Sequence, residues 1–398
     1  MMSQDINNSP AVCFLLGLPR SGTTLLAHLL QRHPAIMAPP EPWLMLALEA
    51  FGRVDHCHPA GASLVQAANS EFLDRIDRTS ATRAFADAVY GQYLAAAGKR
   101  TLIDKTPRYW MLLDFLDSLY PDAPRIVLMR NPYAIAASLK STWGVPLLSA
   151  SSPSAVAACL ADIVLGRPTP AIASSIADLV LGLPALAAYR SRSHTQVVQY
   201  ELLVAHPDEE IRRVLAGLGY ALAEMSSAPL EQTDYLRSST FGDRKILEKK
   251  NIDDRSVQIW QTELSIEEMQ VVTDLVGVQL LIELGYEQDL RLAEQAGVVD
   301  KGPAVTESYR QLFQSCWDFV KSKTGESFDT AASGAELNSI GQQAGENLPL
   351  AFGPSILLQA QRLAESKREE NLRVANSIAA QLTEALTASR AALPGGHS

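Results

Sequence analysis

Four groups of residues have the types and spacing to do chemistry together. The first is Gly17-Leu18-Pro19-Arg20-Ser21-Gly22-Thr23-Thr24, which follows a short apolar run and leads into Leu25, Leu26, Leu29 and Leu30 at helical spacing. A strand, a glycine loop and a helix in this order aim successive backbone N–H groups at one spot. The helix start adds partial positive charge, so the unit is a pocket for a phosphate. Its outline matches the G-x-x-x-x-G-K-[ST] nucleotide loop except that Thr23 replaces the lysine. In nucleotide triphosphatases that lysine reaches the β- and γ-phosphates, so its absence argues against ATP or GTP chemistry. Arg20 brings a cation from within the loop instead.

The second group lies in RIVLMRNPYAIAASLKSTW, where an apolar run ends at Arg130, Asn131-Pro132 turns the chain, and Ser138 sits in the second turn of the next helix. An arginine at a strand's C-terminal edge and a hydroxyl on the following helix can grip one phosphate from two sides. The third is Asp104-Lys105-Thr106-Pro107, a cation directly after another apolar run. The fourth is Glu41, in Met37-Ala38-Pro39-Pro40-Glu41-Pro42-Trp43, a carboxylate just past a further run.

These residues need a scaffold that brings the ends of several strands to one edge. The apolar runs Ala11–Leu16, Ala35–Ala38, Thr101–Ile103, Arg125–Met129 and Gln196–Tyr200 read as strands buried on both faces of a parallel sheet. Helical patterns lie between them, and strand–helix alternation predicts an α/β fold with right-handed crossovers. Residues 144–186, rich in Ala, Leu, Ser and Pro, read as helices under a substrate-facing cap. AEQAGVVDKGPAV, near 291–304, has linker composition, so the expected division is a domain over 1–290 and a linker with a helical C-terminal extension over 291–398. Helices are predicted around Glu307–Lys323 and Ser355–Ala392. In the latter, Val374, Ile378, Leu382 and Leu386 recur every four residues as an amphipathic stripe. Packing on its own domain is the first reading of that stripe, and a homodimer contact is the second.

Composition narrows the partners. Hydrophobic residues are 47% and charged residues 20% of the 398, ordinary for a globular chain with a sizeable core. A net charge of −10 argues against general nucleic-acid binding but leaves room for a small anion in a local positive pocket. No run is long and apolar enough for a membrane span, and Met1–Pro10 does not read as a signal peptide. Cys13, Cys57, Cys159 and Cys316 are scattered without a CxxC pair, which suits reduced thiols and a cytoplasmic location. Asp55-His56-Cys57-His58 reads as an ordinary loop, since adjacent residues rarely share one metal; no metal is expected.

GLPRSGTTLLAHLLQRHP resembles the 5′-phosphosulfate loop of the sulfotransferases, in the branch that contains tyrosylprotein sulfotransferases and many bacterial members. Residues 11–290 can mostly be laid on that pattern. The resemblance implies a P-loop NTPase-like parallel sheet flanked by helices, with 3′-phosphoadenosine-5′-phosphosulfate as donor and adenosine 3′,5′-bisphosphate as product. It assigns Arg20, Ser21, Gly22, Thr23 and Thr24 to the 5′-phosphosulfate. Arg130 and Ser138 are similar in spacing to the family's 3′-phosphate motif. VVQYELLVAHPDEEIRRVLAGLGY resembles the strand and helix in which a tyrosine, here Tyr200, touches the nucleotide, although Leu202 stands where an Asp is usual. Gly242-Asp243-Arg244-Lys245 resembles a late basic loop over the donor, with Lys245 as its cation; a solvated charge cluster is the other reading.

On the acceptor side the resemblance implies Glu41 as general base, because the catalytic Glu of the tyrosylprotein enzymes lies 21 residues beyond the loop arginine, as Glu41 does beyond Arg20. Glutamate is a weak base, so the hydroxyl must grow acidic as transfer proceeds. His56 and His58 are back-up bases. Lys105, in an element similar to the family's D/E-K-T-P, would lie against the sulfonyl group or the bridging oxygen, and Arg108 would help position the acceptor. The apolar character of 144–186 favours a small-molecule, lipid-like or polyketide hydroxyl over a charged polysaccharide. A small-molecule kinase with a degenerate loop and a non-catalytic nucleotide-binding scaffold are the competing readings. The missing loop lysine speaks against the first, Glu41 and Lys105 against the second.

Overall fold

The computed structural model describes residues 10–54, 60–151, 171–220, 254–322 and 373. All five expected strands form: β1 (Ala11–Gly17), β2 (Ile36–Met37), β3 (Thr101–Lys105), β4 (Arg125–Met129) and β5 (Thr195–Gln199). They make one parallel sheet in the order β2-β3-β1-β4-β5. The last run ends one residue early, because Tyr200 already starts the helix Tyr200–Ala205.

Both faces of the sheet are covered, which is why β1 and the middles of β3, β4 and β5 carry apolar residues side by side rather than alternating. Val12, Phe14 and Leu16 of β1 join one core cluster with Leu102, Val127 and Met129, while Cys13 and Leu15 join the opposite one with Ile103, Ile126, Leu128 and Val198. The helix Thr23–Leu30 buries Leu25, Leu26, Leu29 and Leu30 in the second cluster. This is the P-loop NTPase-like arrangement, with the glycine loop after the central strand.

The order of the strands locates the site. From β1 the chain first builds β2 and β3 on one side, then crosses to build β4 and β5 on the other. Connections leaving β1 and its neighbours part at this switch point, so a crevice opens beyond the strands' C-terminal ends. Every parallel strand ends on that edge.

The expected linker begins inside a helix. Glu287–Ala296 runs across residue 290, and Ala293, Val298, Tyr309 and Phe313 are buried in the first cluster. Their apolar side chains give 291–313 a packing partner despite a linker-like composition. The helix Pro303–Ser322 matches the expected one at 307–323; the stripe Val374 to Leu386 lies outside the described residues. The described end of 144–186 is helical over Ala171–Tyr189, with a π-helical turn at Asp178–Gly182. Its Ile176, Leu179, Val180 and Leu183 are buried in the core, so this part of the segment owes its composition to packing.

Candidate active site

The glycine loop is held in shape from within. Ser21 Oγ donates to the carbonyl of Leu18 (2.7 Å), and the Ser21 amide donates to the same carbonyl (3.1 Å). Arg20 (φ 66°) and Gly22 (φ 98°) are left-handed, turning the chain tightly into the helix that starts at Thr23. Gly22 has a second reason to be glycine. A Cβ there would stand 2.4 Å from the Tyr200 ring, so the ring packs directly on the loop backbone.

The two arginines meet. Arg20 Nε donates to Ser138 Oγ (3.0 Å) and its Nη2 to Thr142 Oγ1 (3.4 Å), with the guanidinium 5.8 Å from the Trp143 ring. Arg130 Nη1 donates to the carbonyl of Arg20 (2.6 Å) and Nη2 to that of Ser256 (2.7 Å). The Arg130 guanidinium lies 4.2 Å from the centre of the Tyr200 ring, and the Tyr200 and Ser256 hydroxyls share a hydrogen bond of 2.8 Å. Burial lowers the Arg130 pKa. Its buried Nε has no hydrogen-bond partner among the described residues. A buried donor of this kind costs free energy unless an acceptor meets it, which fits an anionic ligand at this end of β4.

The helix that carries Ser138 is well anchored. Asn131 caps it by accepting from the Tyr133 amide (2.9 Å), Pro132 takes the first helical position, and Gly144 (φ 63°) ends it. The Asn131 amide in turn donates to Glu201 (2.9 Å), which Tyr286 also reaches (3.4 Å). Burial raises the Glu201 pKa, against the hydrogen bond from Asn131.

On the other side of β1, Lys105 is 2% exposed, and its Nζ donates to Glu41 Oε1 (3.1 Å) and Thr24 Oγ1 (3.5 Å). One ammonium therefore joins the glycine loop to the carboxylate. The Glu41 loop pairs with the end of β3 through a Pro40–Lys105 bridge. Glu41 (φ 47°) and Trp43 (φ 55°) are both left-handed, a conformation that costs a non-glycine residue about 1 kcal/mol or more.

Arg108 is already engaged: its Nε and Nη2 grip buried Asp178 at 3.0 to 3.2 Å, and Trp110 Nε1 donates to the same carboxylate (2.9 Å). Sequence reasoning placed Arg108 on the acceptor side and missed its partner 70 residues away. It also missed Ser256, Glu201 and Thr142, and the hydroxyls that gather on Asp104. Glu201 directly follows Tyr200, one residue before the position where an Asp was sought. Lys245, His56 and His58 lie outside the described residues.

The chain is similar to known proteins. A sulfotransferase family model matches residues 13–224. Nodulation protein NoeE of Sinorhizobium fredii is 64% identical over 388 residues, covering 98% of this chain and 92% of that protein. Among solved structures, the sulfotransferase domain from the curacin biosynthetic pathway has a TM-score of 0.42 at 19% identity, covering 67% of this chain and 97% of its own. The sulfotransferase domain of the Synechococcus PCC 7002 olefin synthase has a TM-score of 0.42 at 22% identity, covering 68% and 96%. The family match over more than half of the chain, with 64% identity to NoeE over 98% of it, makes this chain a member of the sulfotransferase family.

Proposed function

We propose that this sulfotransferase moves the sulfonyl group of 3′-phosphoadenosine-5′-phosphosulfate to a hydroxyl of a small-molecule, lipid-like or polyketide acceptor, with Glu41 as general base. The observation that carries the reading is Lys105, whose ammonium touches both Thr24 and Glu41. The loop suited to the donor and the carboxylate suited to the acceptor thus share one buried cation.

In this reading Arg20, Ser21, Gly22, Thr23 and Thr24 receive the 5′-phosphosulfate. Arg130 and Ser138 receive the 3′-phosphate, Tyr200 lies along the nucleotide, and Lys245 closes over it. Glu41 takes the acceptor's hydroxyl proton while the acceptor oxygen bonds to sulfur. The bond from sulfur to the bridging oxygen breaks, and adenosine 3′,5′-bisphosphate leaves. Lys105 meets the negative charge growing on that oxygen, so positioning and electrostatics supply most of the rate. The charges that develop are met by Lys105, Arg20 and Arg130 without a metal. A lipid-like or aromatic acceptor is supported by two half-exposed apolar side chains: Trp143, 47% exposed near the Arg20 guanidinium, and Leu46, 38% exposed and five residues past Glu41. The reading places the enzyme in the cytoplasm.

The test begins with the bisphosphate. Adenosine 3′,5′-bisphosphate raises the melting temperature without magnesium, and at a bisphosphate concentration near the wild-type Kd Arg20→Ala or Arg130→Ala abolishes that rise. Stabilisation by magnesium-ATP but not by the bisphosphate overturns the donor assignment. Mass spectrometry of a metabolite extract incubated with the sulfonate donor then identifies the acceptor as the species that gains one SO₃. Glu41→Gln keeps the bisphosphate shift and loses turnover; retained turnover removes Glu41 as the base.

A further inference from the structure

Asp104 is completely buried, on the face of β3 opposite Lys105. Along a strand, successive side chains point to opposite faces. Lys105 therefore reaches the glycine loop, while Asp104 enters the other layer of the core, away from the donor. There it collects three hydroxyls. Thr106 Oγ1 donates to Oδ1 (2.9 Å), and Tyr90 (2.5 Å) and Tyr109 (3.2 Å) both donate to Oδ2.

Two of these hydroxyls do a second job. Thr106 Oγ1 accepts from the Trp43 amide (3.4 Å), and the Tyr109 hydroxyl accepts from the Met45 amide (3.1 Å). A hydroxyl has one proton to give. Because Asp104 takes that proton from both, each hydroxyl turns lone pairs toward the loop amides. Those amides belong to the segment that leaves Glu41 through two left-handed residues, a shape that does not persist without outside support. Tyr90 differs: its hydroxyl meets Asp104 but is not bonded to the loop.

We propose that Asp104 is the positioning residue of the Glu41 loop, acting through Thr106 and Tyr109 to fix where the carboxylate meets Lys105. The inference rests on the reading of Glu41 as base for its effect on turnover, but the hold on the loop is independent of that reading. A carboxylate is needed because it only accepts. An Asn in its place presents an N–H₂ where one oxygen accepted, so a hydroxyl there must accept instead of donating, and the orientation that aimed its lone pair at the loop amide is no longer fixed.

The test uses amide hydrogen exchange of the full chain, which needs no acceptor, beside calorimetry with adenosine 3′,5′-bisphosphate. Asp104→Asn, Thr106→Val and Tyr109→Phe each speed exchange in the peptide covering Trp43 and Met45 by about 10-fold or more, the size of one lost hydrogen bond. Bisphosphate affinity stays within about 3-fold, since its proposed ligands lie in the glycine loop and in segments that follow β4 and β5, none of which bonds to Asp104. Tyr90→Phe lowers the melting temperature and changes loop exchange least. On the acceptor found by mass spectrometry, the first three variants lower kcat by about 10²-fold with little change in donor KM. Equal loop exchange in all four variants, or loss of bisphosphate binding in step with kcat, reduces Asp104 to a structural role and overturns the proposal. If Asp104→Asn does not fold, Thr106→Val and Tyr109→Phe against Tyr90→Phe decide it. Turnover that survives Glu41→Gln while loop exchange still follows Asp104 removes the base assignment and leaves the positioning one.

Discussion

Strand β4 carries an arginine at each end of the sheet, and the two are finished differently. Arg125, at the start, is 1% exposed. Its Nε donates to the Tyr189 hydroxyl (3.0 Å), and its Nη groups meet Asp117 and the carbonyls of Leu116, Tyr120 and Ala123. Arg130, just past the end, is 6% exposed, with two backbone carbonyls, a tyrosine face and an Nε unmet among the described residues. One strand thus pays for burial at both ends but completes only the end far from the crevice. A buried arginine whose donors are all met supports the fold, whereas one left incomplete beside a glycine loop is ready for an anion.

That contrast can be broken by mutation. Arg125→Ala removes a fully buried side chain together with its donors to Tyr189, Asp117 and three carbonyls, so stability in urea falls by about 3 kcal/mol, the upper range for an ordinary point mutation. A loss below about 1 kcal/mol removes the structural reading of that end. At the crevice, Lys105→Ala lowers kcat by about 10²–10³-fold, as expected of a group that meets charge in the transition state, while the protein stays folded. Arg130→Ala weakens adenosine 3′,5′-bisphosphate by about 10–10²-fold in calorimetry, the value of a charge-assisted hydrogen bond, and costs less stability than Arg125→Ala. If the order of those two stability losses is reversed, the comparison fails.

A smaller effect concerns pH. Burial pushes Asp104 up to about 6, partly offset by the hydroxyls of Tyr90, Thr106 and Tyr109 and by Lys105. The folded chain then keeps this proton to higher pH than the unfolded one, so releasing it favours unfolding. Between about pH 4 and pH 6, the wild type should lose on the order of 2 kcal/mol relative to Asp104→Asn as pH rises. Parallel stability curves for the two proteins would contradict it. Last, Ser138→Ala removes one neutral partner of Arg20, and bisphosphate affinity falls only a few-fold, roughly 1 kcal/mol by calorimetry.

Much of the site could be read in the chain because its parts are local. The glycine loop is one continuous segment, and Arg130 and Ser138 share one strand and the helix after it, so spacing alone sets their relation. The five strands were legible for the same reason: burial on both faces leaves unbroken apolar runs. Asp104 carried no such signal, since an acid beside a lysine looks like any solvated pair. What distinguishes it is a layer of hydroxyls from residues 90, 106 and 109, gathered only when the helix Arg78–Ala97 and the turn Tyr109–Leu112 pack on β3. Ser256 was illegible too, because it reaches Arg130 from 126 residues away.

The order of residues by itself determined the strands, the glycine loop that leads into the first helix and the 21-residue step from Arg20 to Glu41. These follow from hydrophobic period, glycine's freedom and chain length, which act within a few turns of backbone. Only the folded sheet decided that Lys105 would bridge Thr24 and Glu41, that Arg108 would be taken by Asp178, and that Asp104 would face the opposite layer of the core from Lys105. Side-chain partners across a sheet depend on strand order and on which face each residue presents. Neither is written in any one segment.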